Sequence, residues 1–126
     1  MRQGWGQENL VFRQIFTSLF IPSGTPEQVQ WYNDLQRITT SPENAVRMRQ
    51  VLDHIDMSDL LPQVRTPTLV LHCRHDARIP FDAGRRLAAG IPVARFVALE
   101  GRNHVLLDSE LVWDRFFDEV SVFLQH

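Results

Sequence analysis

The sequence predicts an α/β fold, ordered as three helices followed by strand, helix, strand, helix. Three observations predict it. Val70, Leu71 and their neighbours, and again Ala94 to Leu99, are two short apolar runs of the continuous kind that a strand covered on both faces needs. Between them lies one short amphipathic stretch, long enough for a crossover helix. Upstream, Thr25-Pro26 and Ser41-Pro42 each place a capping side chain before a proline, a pairing that starts helices.

In order along the chain, MRQGWGQENL sets two glycines around Trp5 and reads as an irregular lead-in. From about Asn9, Phe12, Ile15, Phe16 and Leu19 recur at helical spacing until Pro22 and Gly24 end the pattern. In Thr25-Pro26-Glu27-Gln28 the glutamine completes a capping box, and Val29, Tyr32, Leu35 and Ile38 supply the expected buried stripe. The third helix begins at Ser41-Pro42-Glu43 and is expected to bury Ala45, Met48, Leu52 and Ile55. Asp56 to Val64, with Leu60 and Leu61 before Pro62, reads as a helical turn docked on the sheet.

Pro67 restricts Thr66 to extended backbone and introduces the first strand. Pro80 suits the first turn of the crossover helix, which has Phe81, Leu87 and Ala88 as apolar positions and is stopped by Gly90 and Pro92. The last helix is expected from about Asp108 to the C-terminus, burying Val112, Phe116, Val120, Phe123 and Leu124. Two strands do not make a stable open sheet. The sheet is therefore expected to be incomplete within one chain, its neighbours coming from another polypeptide, a second copy or a preceding portion.

Composition narrows the function. With 126 residues and 44% hydrophobic content, the chain has the size of one compact domain. A net charge of −2 argues against nucleic-acid or anionic-membrane binding, which needs clustered basic charge. All thirteen basic residues are arginine, which we read as coding bias. Cys73 is the one cysteine, so no intrachain disulfide forms, and a reducing, cytoplasmic setting is expected. Neither a membrane span nor a signal peptide is visible.

The chemistry-bearing candidates are Asp76, just past the first strand, and His104, just past the second. If the strands are parallel neighbours, both side chains leave the sheet at its carboxyl edge, where open α/β sheets carry their sites. Asp76 reads either as an acid that orients a histidine or as a turn residue before the Pro80 helix, and its local sequence favours the turn. His104 is a catalytic base or a solvated loop histidine. The 28 residues between them fit one crossover helix and a return strand, which sets the two loops side by side.

His72, Cys73, His75, Asp76 and His104 include metal-ligand types, but strand alternation sends His72 and Cys73 to opposite faces, so neither metal nor cofactor is expected. Cys73 reads as a small buried hydrophobe rather than a reactive thiol. Arg74, Arg78 and Arg102 either steer a carboxylate or are solvated. The aromatics Trp5, Phe12, Phe16, Trp31 and Tyr32 either line an acyl pocket or simply pack the helices onto the core.

From Pro67 onward the chain resembles the C-terminal part of an α/β-hydrolase. PTLVLHCRHDARIP is similar to the acid-bearing strand and turn, LEGRNHVLL to the histidine loop, and WDRFFDEVSVFL to the closing helix. FTSLFIPSGTPEQ and SPENAVRM resemble cap helices of a subgroup fused to adenylate cyclases or LuxR-type regulators. The resemblance implies a cap-like segment over residues 1–57, a core segment over 58–126, and Asp76 and His104 as the acid and histidine of a Ser-His-Asp triad. It also implies a G-x-S-x-G nucleophile elbow, and this chain contains none.

The chain is thus expected to be inactive alone. It would hydrolyse an ester or similar acyl bond of a small molecule only in a complete protein, with an N-terminal hydrolase half supplying the nucleophile, while a homodimer is expected to cover the open strand edge and the apolar cap helices. The alternative is a non-catalytic ligand-binding or protein-interaction module of a regulatory protein.

Overall fold

The computed structural model describes residues 17–125. Residues 17–20 are helical, and the predicted Phe12, Ile15 and Phe16 face, like Trp5, lies outside the described residues. Then follow α1 (Pro26–Thr39), α2 (Pro42–Leu52), a 3-10 helix (Ser58–Gln63), β1 (Thr68–Cys73), α3 (Phe81–Gly90), β2 (Ala94–Leu99) and α4 (Leu111–Leu124). Among the described residues no helix is long and apolar enough to cross a membrane.

The two strands pair in parallel, with Thr68 opposite Ala94 and Cys73 opposite Leu99. Side-chain alternation then gives each face its own helix. On one face Cys73, Leu99 and Val112 of α4 form a buried cluster, with Leu71, Val97, Leu106 and Phe116 packed around it. On the other face α3 crosses so closely that a Cβ on Gly84 would lie 2.5 Å from His72 Nδ1. Phe81 of α3 also meets Phe96 edge-on at 5.4 Å. His72 and Cys73 do take opposite faces, as alternation requires.

The helix starts behave as their local sequence demands. Thr25 accepts from the Gln28 backbone N–H while the Gln28 side chain accepts from the Thr25 N–H, a complete capping box. Ser41 caps α2 through the Asn44 N–H. The last helix begins at Leu111 rather than Asp108, because Glu110 folds back to accept from the Leu107 N–H at 2.6 Å and holds residues 108–110 in a turn.

The predicted buried faces fare differently. On α1 the fully buried residues are Asn33 and Gln36, not the apolar stripe, and Ile38 is exposed. The Thr17 hydroxyl donates to Asn33 Oδ1 and accepts from Gln36 Nε2 at 2.7 Å, so a buried polar cluster sits beside the half-buried Val29, Tyr32 and Leu35, with Asn33 Nδ2 and Gln36 Oε1 left without a partner among the described residues. On α2 only Ala45 of the expected face is buried; Met48, Leu52 and Ile55 are exposed. On α4 Val112 is buried, but Leu124 is exposed near the end of the helix.

Candidate active site

The ladder runs past both strand ends, with the Arg74 N–H bonded to Leu99 O at 2.8 Å and the His75 N–H to Gly101 O at 3.1 Å. Asp76 and His104 therefore emerge from adjacent loops at one sheet edge. His104 Nδ1–H donates to Asp76 Oδ2 at 2.7 Å. The other carboxylate oxygen, Oδ1, accepts from the Arg78 and Ile79 backbone N–H groups at 2.7 and 2.8 Å. One Asp76 oxygen thus meets a histidine and the other closes the turn.

The Asp76 side chain is 4% exposed and that of His104 36%. Burial alone would raise the Asp76 pKa, but the Ile79 N–H, the His104 ring and the Arg78 N–H stabilise the carboxylate and hold it below the ordinary 3.8. With Nδ1 committed to the acid, Nε2 is the nitrogen that His104 has left for proton transfer, the division of labour of a catalytic histidine.

Two clamps fix the histidine loop against the helical segment. Phe20 O accepts from both the His104 and Val105 N–H groups, at 2.7 and 3.1 Å, and the Phe20 ring stands edge-on to His104. Asn103, fully buried, accepts from the Ser23 N–H at 2.9 Å, and its Nδ2 has no partner among the described residues. Behind the pair lies a recess of about 120 Å³, lined by Leu71, Cys73, Leu99, Leu106 and Phe116 as well as the polar residues.

The remaining candidates separate. Cys73 is buried, and desolvation, reinforced by the Glu110 and Asp76 charges, pushes its thiol up to about 11, so it is no thiolate at neutral pH. No group of three or more His, Cys, Asp or Glu side chains able to hold a metal occurs among the described residues. Arg74 pairs with Glu100 and lies over Phe81, Arg78 lies over the Phe20 ring, and Arg102 is exposed. Tyr32 stacks near Phe20, while Trp31 is exposed.

Sequence reasoning missed Phe20, Asn103, Gly84 and the buttressing place of His72. The signals for Gly84 were present, since a glycine inside a helical pattern opposite a buried strand often marks close packing.

No family model matches the chain. The RutD protein of Pseudomonas syringae pv. syringae, named as a carbamate hydrolase, is 36% identical over 62 residues, which are 49% of this chain and 24% of that protein. The AB hydrolase superfamily protein YisY of Bacillus subtilis is 30% identical over 80 residues, 64% of this chain and 30% of its own length. The chain thus spans 24% to 30% of the length of these curated relatives. An esterase from Exiguobacterium antarcticum superposes with a TM-score of 0.80 at 20% identity, covering 95% of this chain and 44% of that one. The esterase RhEst1 from a Rhodococcus species gives 0.70 at 23% identity, covering 98% and 45%. The structural likeness shows the C-terminal portion of an α/β-hydrolase fold, and in sequence the chain is similar to parts of proteins named as hydrolases.

Proposed function

We propose that Asp76 and His104 are the acid and base of a serine-type acyl hydrolase site whose nucleophile and oxyanion donors come from polypeptide outside these 126 residues. The bond cleaved is an ester or carbamate-like acyl bond, in keeping with the names of the relatives and structural neighbours. The observation that carries this reading is the 2.7 Å contact between a buried carboxylate and Nδ1 of a half-exposed histidine. His104 Nε2 would take the proton of an attacking hydroxyl, and Asp76 would stabilise the imidazolium. The cap phrases add the setting, a regulatory protein of the cyclase or LuxR-fused subgroup, with a small-molecule acyl substrate.

Ester hydrolysis tests the proposal. The chain alone should give no His104-dependent turnover of short p-nitrophenyl esters. Produced together with in-frame upstream sequence bearing G-x-S-x-G, it should hydrolyse them, and His104→Ala should cost on the order of 10⁶-fold in kcat. His104-dependent turnover by the chain alone, or full activity of the longer protein after His104→Ala, would overturn it.

A further inference from the structure

His72 stands apart from the pair just described, yet it closes the turn that carries Asp76. Its side chain is 10% exposed, pressed between α3 and the Asp76 loop. Nε2 lies 2.9 Å from Ile79 O and 3.5 Å from Asp76 Oδ2. A carbonyl oxygen only accepts, so Nε2 carries the proton, and that proton also lies toward the carboxylate oxygen used by His104. Nδ1 faces the backbone of α3 at Gly84, where even a methyl group would lie 2.5 Å away. The Phe81 ring meets the imidazole edge-on at 6.0 Å and fixes its plane.

Ile79 is thereby held at both ends of its backbone. Its N–H donates to Asp76 Oδ1 and its C=O accepts from His72. Release of the carbonyl end would remove the side-chain hydrogen bond that anchors the far end of the 76–79 turn, leaving there the hold of the carboxylate that the turn orients. The turn would then be free to rotate Asp76 Oδ2 away from His104.

We propose that His72, with a proton on Nε2, is a positioning residue for the Asp76–His104 pair. It holds the Ile79 carbonyl and, through it, the turn that presents Oδ2 to His104. The proposal rests on the acid–base reading above for its functional meaning. Its geometry stands without that reading, and so does its test.

The test is histidine side-chain NMR on the full chain, with ¹⁵N-labelled imidazoles. Long-range ¹H–¹⁵N correlations should show His72 as the Nε2–H tautomer. In His72→Phe, which fills the space but removes the donor, the downfield Nδ1–H resonance of His104 should weaken. His72→Gln, whose amide nitrogen reaches about where Nε2 sits, should restore that signal; His72→Asn, which stops short, should not.

The Nδ1–H tautomer in the unsubstituted chain would overturn the proposal whether or not any variant folds. So would an unchanged His104 Nδ1–H resonance in folded His72→Phe or His72→Asn. A purely structural role would lower the melting temperature in step with lost packing and leave His104 unmoved, and that outcome also counts against it. Failure of the ester assay would leave every one of these signals in place, so the two readings fail separately.

Discussion

Asp76 divides its two oxygens between a turn and a histidine, and its substitutions should divide accordingly. Asp76→Asn keeps an oxygen for the Arg78 and Ile79 N–H groups but turns an amide toward His104 Nδ1, so the fold should survive while the Nδ1–H resonance disappears. Asp76→Ala should lose both. Because the folded chain holds this carboxyl below its ordinary 3.8, the linkage has a definite sign. The carboxylate contributes stability at pH above that value, and the contribution vanishes as pH falls through the lowered folded value. Urea midpoints for the unsubstituted chain and Asp76→Asn should differ at pH 7 and converge toward pH 2. A gap that persisted or widened on acidification would contradict the assignment. Gly84→Ala makes a harsher change, since the added methyl meets His72 on the α3 side and overpacking typically costs about 1–3 kcal/mol. Cys73 should alkylate only on unfolding, for its thiol is buried and its pKa pushed up to about 11.

At the scale of elements, what the sequence made legible is what local chemistry decides. Thr25-Pro26-Glu27-Gln28 and Ser41-Pro42 start α1 and α2 because the cap and the proline act within one turn. The pairing of Asp76 with His104 was readable because two parallel strands joined by a crossover helix can emerge only at the same sheet edge. Which face of a helix is buried depends instead on partners far away in the chain. The stripe through Val29, Tyr32, Leu35 and Ile38 gave no hint that Thr17 would draw Asn33 and Gln36 inward. The clamp from Asn103 to Ser23 spans 80 residues, and nothing in GRNH announces it. Asn103→Ala should leave the Ser23 N–H unpaired at a cost of about 1–3 kcal/mol in denaturant melts. Thr25→Ala should cost nearer ~1 kcal/mol. The larger loss at Asn103 should come with a shifted His104 resonance, because the loop it anchors is the histidine's own.

Taken whole, the described residues present more apolar surface and sheet edge than they cover. Among them β1 pairs with β2 alone, so its other edge offers backbone donors and acceptors to whatever completes the sheet. On α2 and the turn after it Met48, Val51, Leu52 and Ile55 are all more than half exposed, beside a groove of about 580 Å³ lined by Arg47, Gln50, Val51, His54 and Ile55. Helical residues at this spacing bury their stripe against something in nearly every stable domain, and contiguous apolar patches on monomers are small. The chain alone should therefore self-associate, most simply as a homodimer that pairs strand edges or covers the α2 faces. Light scattering at micromolar concentration should report a mass above that of one chain. Val51→Glu with Leu52→Glu should lower that mass if the helix face is the contact and leave it unchanged if the strand edge is. A monodisperse monomer that melts cooperatively would contradict the prediction, for it would mean that two strands and a half-covered helix suffice as a domain. The same measurement bears on the site, because an edge already closed by a second copy could not also receive the polypeptide that supplies the nucleophile.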